Sequence, residues 1–177
     1  MKGLGLDYQR AEASTGSDFV WLPAGGYVCR ITSVTDNPEK QYLYIEFDIA
    51  EGEYTGYGSN MMERFGFTPL KMYRSYSDKA AGMFKGFIQD VEASNQPHYH
   101  WGWDEKTLVG RTIGIVLGEE EYKKQSGEIG TRFNVRTKTT EAIRDGKFKI
   151  PEKKLLPKEE PANAFSPMED VDGQLPF

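Results

Sequence analysis

The 177-residue sequence predicts one mainly β domain, a five-stranded barrel with a single helix between its third and fourth strands, followed by an acidic tail. Three observations predict it. Apolar and polar residues alternate with period two along residues 27–34, 42–49 and 132–138, the signature of half-buried strands. Between those regions Met83, Phe84, Phe87, Ile88 and Val91 recur at spacings of three and four, the signature of an amphipathic helix. From Pro161 onward there is no Lys or Arg, and Pro157, Pro161, Pro167 and Pro176 discourage regular structure. A hydrophobic content of 38% over this length supports one core rather than two.

Residues 1–22 read as a Gly-, Ser- and Thr-rich arm that Phe19-Val-Trp-Leu-Pro23 anchors to the domain, and the turn at Pro23-Ala-Gly-Gly26 opens the domain proper, 23–150. The first strand runs from Tyr27 to Val34, with Cys29 and Ile31 on one face and Val28, Arg30 and Thr32 on the other. After a turn at Asp36-Asn-Pro38, the second strand sets Leu43, Ile45, Phe47 and Ile49 against Tyr42, Tyr44, Glu46 and Asp48, so the two strands form a hairpin. Gly52, Gly56 and Gly58 punctuate a third stretch, read as a strand to about Phe67, whose phase Met61-Met62 leaves open. Ser77-Asp78 then starts the helix. The fourth strand is Arg111 to Leu117, the charged run from Glu119 to Gly130 reads as a long hairpin loop, and the fifth strand carries Phe133 and Val135 opposite Arg132, Asn134, Arg136 and Lys138. Residues 151–177 read as a Lys/Glu/Pro linker and tail. Three strands, a helix and a two-stranded hairpin is the order of an OB-fold, a Greek-key barrel that binds oligomers on its second and third strands and the loops beside them.

The sequence has no apolar run long enough for a membrane span and no signal-peptide pattern, so a cytoplasmic protein is expected. Its single cysteine, Cys29, excludes an internal disulfide and reads as a buried strand residue. Net charge is −5, but residues 1–150 carry 19 basic and 21 acidic side chains while residues 151–177 carry 3 and 6. The body is nearly neutral, so any site for nucleic acid is a local basic stripe supplemented by stacking.

Tyr42 and Tyr44 on the solvent side of the second strand are the candidate stacking platform, with Arg30 on the neighbouring strand. Arg132, Arg136 and Lys138, with Lys123 and Lys124 on the hairpin, form a second basic stripe, and Arg64 is a further candidate. Glu46 and Asp48 share the tyrosine face and oppose phosphate. His98 and His100 with Asp104 form a poor zinc site, because no third ligand of matching kind accompanies the histidines; an aromatic loop packed on the helix end is the better reading. No Gly-rich phosphate loop, nucleophile triad or nuclease motif is present, so neither an enzyme nor a cofactor or metal is expected.

The tail ends Pro167-Met-Glu-Asp-Val-Asp-Gly-Gln-Leu-Pro-Phe177, an acidic run before a free apolar tip. It resembles the Asp-Asp-Asp-Ile-Pro-Phe-type ending of bacterial and phage single-stranded DNA-binding proteins. In the body, Leu22-Pro-Ala-Gly-Gly-Tyr-Val-Cys-Arg-Ile31, Tyr42-Leu-Tyr-Ile-Glu-Phe-Asp-Ile49, Gly52-Glu-Tyr-Thr-Gly56 and Leu108-Val-Gly-Arg-Thr112 extend the resemblance to small phage members of that class. The resemblance implies an OB-fold that coats single-stranded DNA in phage replication or recombination inside a bacterial host. It also implies that Glu169, Asp170, Asp172, Leu175, Pro176 and Phe177 recruit replication or recombination proteins, the Phe177 ring filling an apolar pocket and its carboxylate meeting a cation. A dimer or tetramer is expected, because linked short grooves gain avidity. The rival readings are a protein-interaction or structural phage module on the same barrel, and a metal-dependent nuclease.

Overall fold

The computed structural model describes residues 21–157; the acidic tail with its six partner-binding candidates, and most of the N-terminal arm, lie outside the described residues. Five strands form one antiparallel sheet in the order β3-β2-β1-β4-β5: β1 Gly25–Asn37, β2 Tyr42–Ile49, β3 Lys71–Ser75, β4 Thr112–Lys123 and β5 Ile129–Lys138. Strand β1 is central because it pairs with β4 along Gly25 to Arg30 and with β2 along Cys29 to Asn37. A register shift between Ile31 and Ser33 lets it serve both partners.

The alternation read in β2 is the one observed: Leu43, Ile45, Phe47 and Ile49 are buried, and the intervening side chains are half-buried. Cys29 is fully buried in the core with Ile31, and burial pushes its thiol well above the usual range, so it packs as a small apolar residue. Helix α2, Ala81–Ser94, buries Phe84, Phe87, Ile88 and Val91 against the sheet, whereas Met83 faces solvent. Asn95 clamps the end of α2 to β4, its amide nitrogen donating to the carbonyls of Val91 and Thr112 while its oxygen accepts from Thr112 N. The loop that follows packs as an aromatic one: Tyr99 is buried, and the Trp101 ring meets Phe84 edge-on at 6.1 Å. His98 and His100 point to solvent, and no group of three metal-ligating side chains exists among the described residues.

Two of the differences from the sequence reading reshape the sheet, besides the extension of β1 through Asn37. The segment read as a third strand is helix α1, Tyr57–Phe65, and the third strand is Lys71–Ser75 instead. The cause is Asp48. Its Oδ1 accepts from Gly58 N at 2.6 Å and its Oδ2 from Ser59 N at 3.1 Å and Ser59 Oγ at 2.6 Å, so a carboxylate from β2 caps the helix that its own N-cap residue, Gly56, cannot. A Cβ on Gly58 would lie 2.9 Å from that oxygen, which is why glycine stands there. Second, the acidic run after Leu117 is not a loop, because β4 continues to Lys123 and the connection is only the turn 124–128, closed by Lys124 N to Glu128 O. Residues 119–121 stay in strand because Glu119, Glu120 and Glu121 each have a partner: Trp21 Nε1, Arg132 and Leu156 N respectively.

Past Leu117, β4 has outrun β1, and its freed edge is taken by the segment 151–157 through Lys154 N to Glu119 O and Glu121 N to Lys154 O. Upstream, the short helix α3, Thr140–Arg144, lies on the outer face of β4, and its Arg144 holds Glu51 through two nitrogens, Nε at 3.1 Å and Nη2 at 2.5 Å. The Arg144 hydrogen bond keeps the Glu51 carboxyl below the usual range. The folded chain therefore gains from this pair above the ordinary glutamate pKa and loses the gain as pH falls through the lowered one. Both side chains are about half exposed, so Arg144→Ala is expected to cost at most about 1 kcal/mol at neutral pH. That cost should shrink as pH falls, as thermal melts of the two proteins at pH 7 and at decreasing pH would show. No helix among the described residues is long and apolar enough to cross a membrane.

Candidate nucleic-acid interface

Register places the functional side chains. Tyr44 stands directly opposite Tyr73, and Glu46 opposite Lys71, on the outer face of the β2–β3 pair. The Tyr73 ring lies 5.3 Å from that of Tyr42 and 5.1 Å from that of Tyr44, so three tyrosines form one cluster. They line a shallow recess of about 310 Å³ with Thr35, Asp36 and Asn37. Tyr73 is 56% exposed and presents the most accessible face. Asn37 donates to Tyr42 Oη, and Tyr44 donates to Glu46, so the latter two rings are held in place. Burial and the Glu46 carboxylate push the Tyr44 phenol up to about 12, which keeps it neutral.

Tyr73 is also the wall of a second, larger space. Because β3 and β5 are the two edges of the sheet, a cleft of about 800 Å³ opens between them. Lys71, Tyr73 and Arg74 line one side, Arg132, Phe133 and Tyr122 the other, with Trp21 and Phe67 completing the apolar surface. Trp21 stacks on Phe133 with ring centroids 4.3 Å apart. Arg74 crosses the seam, its Nη2 donating to the carbonyl of Val135 at 3.4 Å. Its guanidinium also sits over the Phe87 ring, near Asp90. Burial raises the Asp90 carboxyl, while Thr137, Lys138 and Arg74 act against that shift.

Of the residues singled out in sequence, Tyr42, Tyr44 and Arg132 fall on this continuous surface, and Lys123 and Lys124 stand at the hairpin beyond Tyr122. Lys124 reaches Glu128 at 4.0 Å. The other four do not line it. Arg30 is opposite Asp48 and donates to Gly110 O, four residues along β2 from Tyr44. Arg64 lies over Phe65 beside a separate cavity of about 440 Å³ on α1. Arg136 and Lys138 are exposed further along β5, opposite Val116 and Gly114, outside the cleft. The expected opposition from acids is smaller than the sequence suggests, because Asp48 is committed to α1 and Glu46 faces Lys71. Tyr73, Lys71 and Arg74 were missed; the alternation Lys71-Met-Tyr-Arg-Ser75 carried the signal.

Aromatic faces next to cations can stack flat bases and neutralise phosphates without bond-making chemistry. The chain matches no protein-family model, and no curated protein is significantly similar to it.

Proposed function

We propose that this protein is a non-catalytic single-stranded DNA-binding protein built on an OB-type barrel, as its resemblance to small phage proteins of that class suggests. The observation that carries the reading is the continuity of the Tyr42, Tyr44 and Tyr73 cluster with the cationic cleft between β3 and β5. A strand stacks its bases on the tyrosines and passes its phosphates along Lys71 and Arg132 toward the Lys123-Lys124 hairpin. An OB-type barrel is supported by the strand order, by a central β1 shared between two hairpins, by a helix between β3 and β4, and by Arg74 spanning the β3–β5 seam. The role is coating of single strands in replication or recombination in the bacterial cytoplasm, as a dimer or tetramer. The tail residues Glu169, Asp170, Asp172, Leu175, Pro176 and Phe177 are the proposed contacts for partner proteins.

The test is fluorescence anisotropy of a labelled mixed-sequence single strand against the matching duplex, at several salt concentrations and with strand integrity checked in magnesium and manganese. Salt-sensitive binding selective for the intact single strand is the expected result. Strand cleavage would point to a nuclease. Absence of binding would favour the interaction-module reading, for which the specific observation is a second groove of about 460 Å³ beside α2. There Phe84, Ile88 and Trp101 line the wall and Trp103 is exposed.

A further inference from the structure

The cations of the cleft are not equivalent. Arg74 is committed to two backbone carbonyls, that of Tyr73 beside it in β3 and that of Val135 across the seam, and Lys71 stands opposite Glu46. Arg132 is different because it is exposed and already holds an anion: its Nε donates to Glu120 Oε1 at 3.1 Å, and its guanidinium lies 5.2 Å from the centre of the Tyr122 ring. Glu120 and Arg132 are direct cross-strand partners within ten paired positions of the β4–β5 ladder. The backbone of β4 at this point is braced on its other edge by Lys154. The carboxylate therefore stands on a braced strand in the wall of the cleft, held there by Arg132.

Resting on the strand-binding reading above, we infer that Glu120 is a built-in competitor for the DNA phosphate. Carboxylate and phosphate oxygens suit the same guanidinium donors, so a phosphate that takes the Nε edge of Arg132 does so by displacing Glu120. The exchange leaves Glu120 unpaired beside a polyanion, which lowers affinity. Glu120 thereby sets how tightly the strand is held, independently of the stacking cluster.

The Glu120→Gln protein keeps the side chain's length and removes only its charge. It is expected to bind a labelled oligo-dT about two- to fivefold more tightly than wild type at low salt. Its plot of log affinity against log salt should be steeper by about 0.7, the effect of one more net positive charge facing a single strand. In the Arg132→Gln background the same Glu120→Gln change should tighten binding clearly less than it does in wild type, because most of its effect acts through the guanidinium. Equal affinity of Glu120→Gln and wild type overturns the inference, as does weaker binding. Tightening that persists undiminished in the Arg132→Gln background also overturns it, since it would be a general charge effect. Failure of wild type and Glu120→Gln alike to bind overturns the strand-binding reading and this inference with it. Thermal melts of all four proteins separate affinity from folding.

Discussion

Replacing Tyr44 and Tyr73 together with alanine is expected to weaken single-strand binding about a hundredfold or more, since each stacked base contributes roughly 1 to 3 kcal/mol. The pair faces each other across the β2–β3 ladder and shares one aromatic cluster with Tyr42, so removing both rings empties the platform. The corresponding phenylalanine pair should stay within about threefold of wild type, because stacking uses the ring and Tyr44 donates its hydroxyl inward to Glu46. Anisotropy titrations at one salt concentration measure both. Unchanged affinity in the alanine pair would sink the proposed path of the strand, even if the protein binds DNA elsewhere.

The largest effect on stability is expected from Asp48→Ala. The substitution leaves Gly58 N and Ser59 N at the start of α1 without their acceptor and also removes the bond from Ser59 Oγ. Charge-assisted bonds to a helix N-terminus are worth more than neutral ones, and the combined loss is about 2 to 3 kcal/mol. For a domain of this size that corresponds to a melting point lower by about 6 to 10 °C. Asp48→Asn should fall between the two, because an amide oxygen can still accept one of the bonds. A calorimetric melt decides it: loss of less than 1 °C in the alanine variant would mean that α1 is capped otherwise.

The same residue explains where the sequence was legible and where it was not. Local periodicity was enough for β2 and for α2, because each buries a face whose spacing is written in consecutive residues such as Leu43, Ile45 and Phe47 or Phe84, Phe87 and Ile88. Helix α1 was read as a strand because its cap comes from a side chain ten residues upstream of Gly58, and no local pattern announces a cap of that kind. In the β4–β5 hairpin the sequence makes the loop too long because Glu119, Glu120 and Glu121 look solvated in isolation; their partners lie elsewhere in the chain at Trp21, Arg132 and Leu156. For the candidate site, Tyr42 and Tyr44 followed from alternation alone. Tyr73 and Lys71 did not, since they belong to a five-residue strand displaced from where the glycines seemed to put it. Arg30 and Arg64 were grouped with the tyrosines on residue type, and the register of β1 on β2 and the fold of α1 carry them elsewhere.

The segment that covers the free edge of β4 also determines where the chain can be shortened. A tail deletion that ends the protein after Pro157 keeps Lys154 and Leu156 on β4, so it changes only the acidic end. A deletion ending at Ile150 would strip that cover and leave unpaired amides and carbonyls on β4 from Gly118 onward, open to a neighbouring molecule. Multimers of that shorter protein would then reflect strand-to-strand capture at the cut edge, and of the two truncations only the one ending at Pro157 reports the native assembly state.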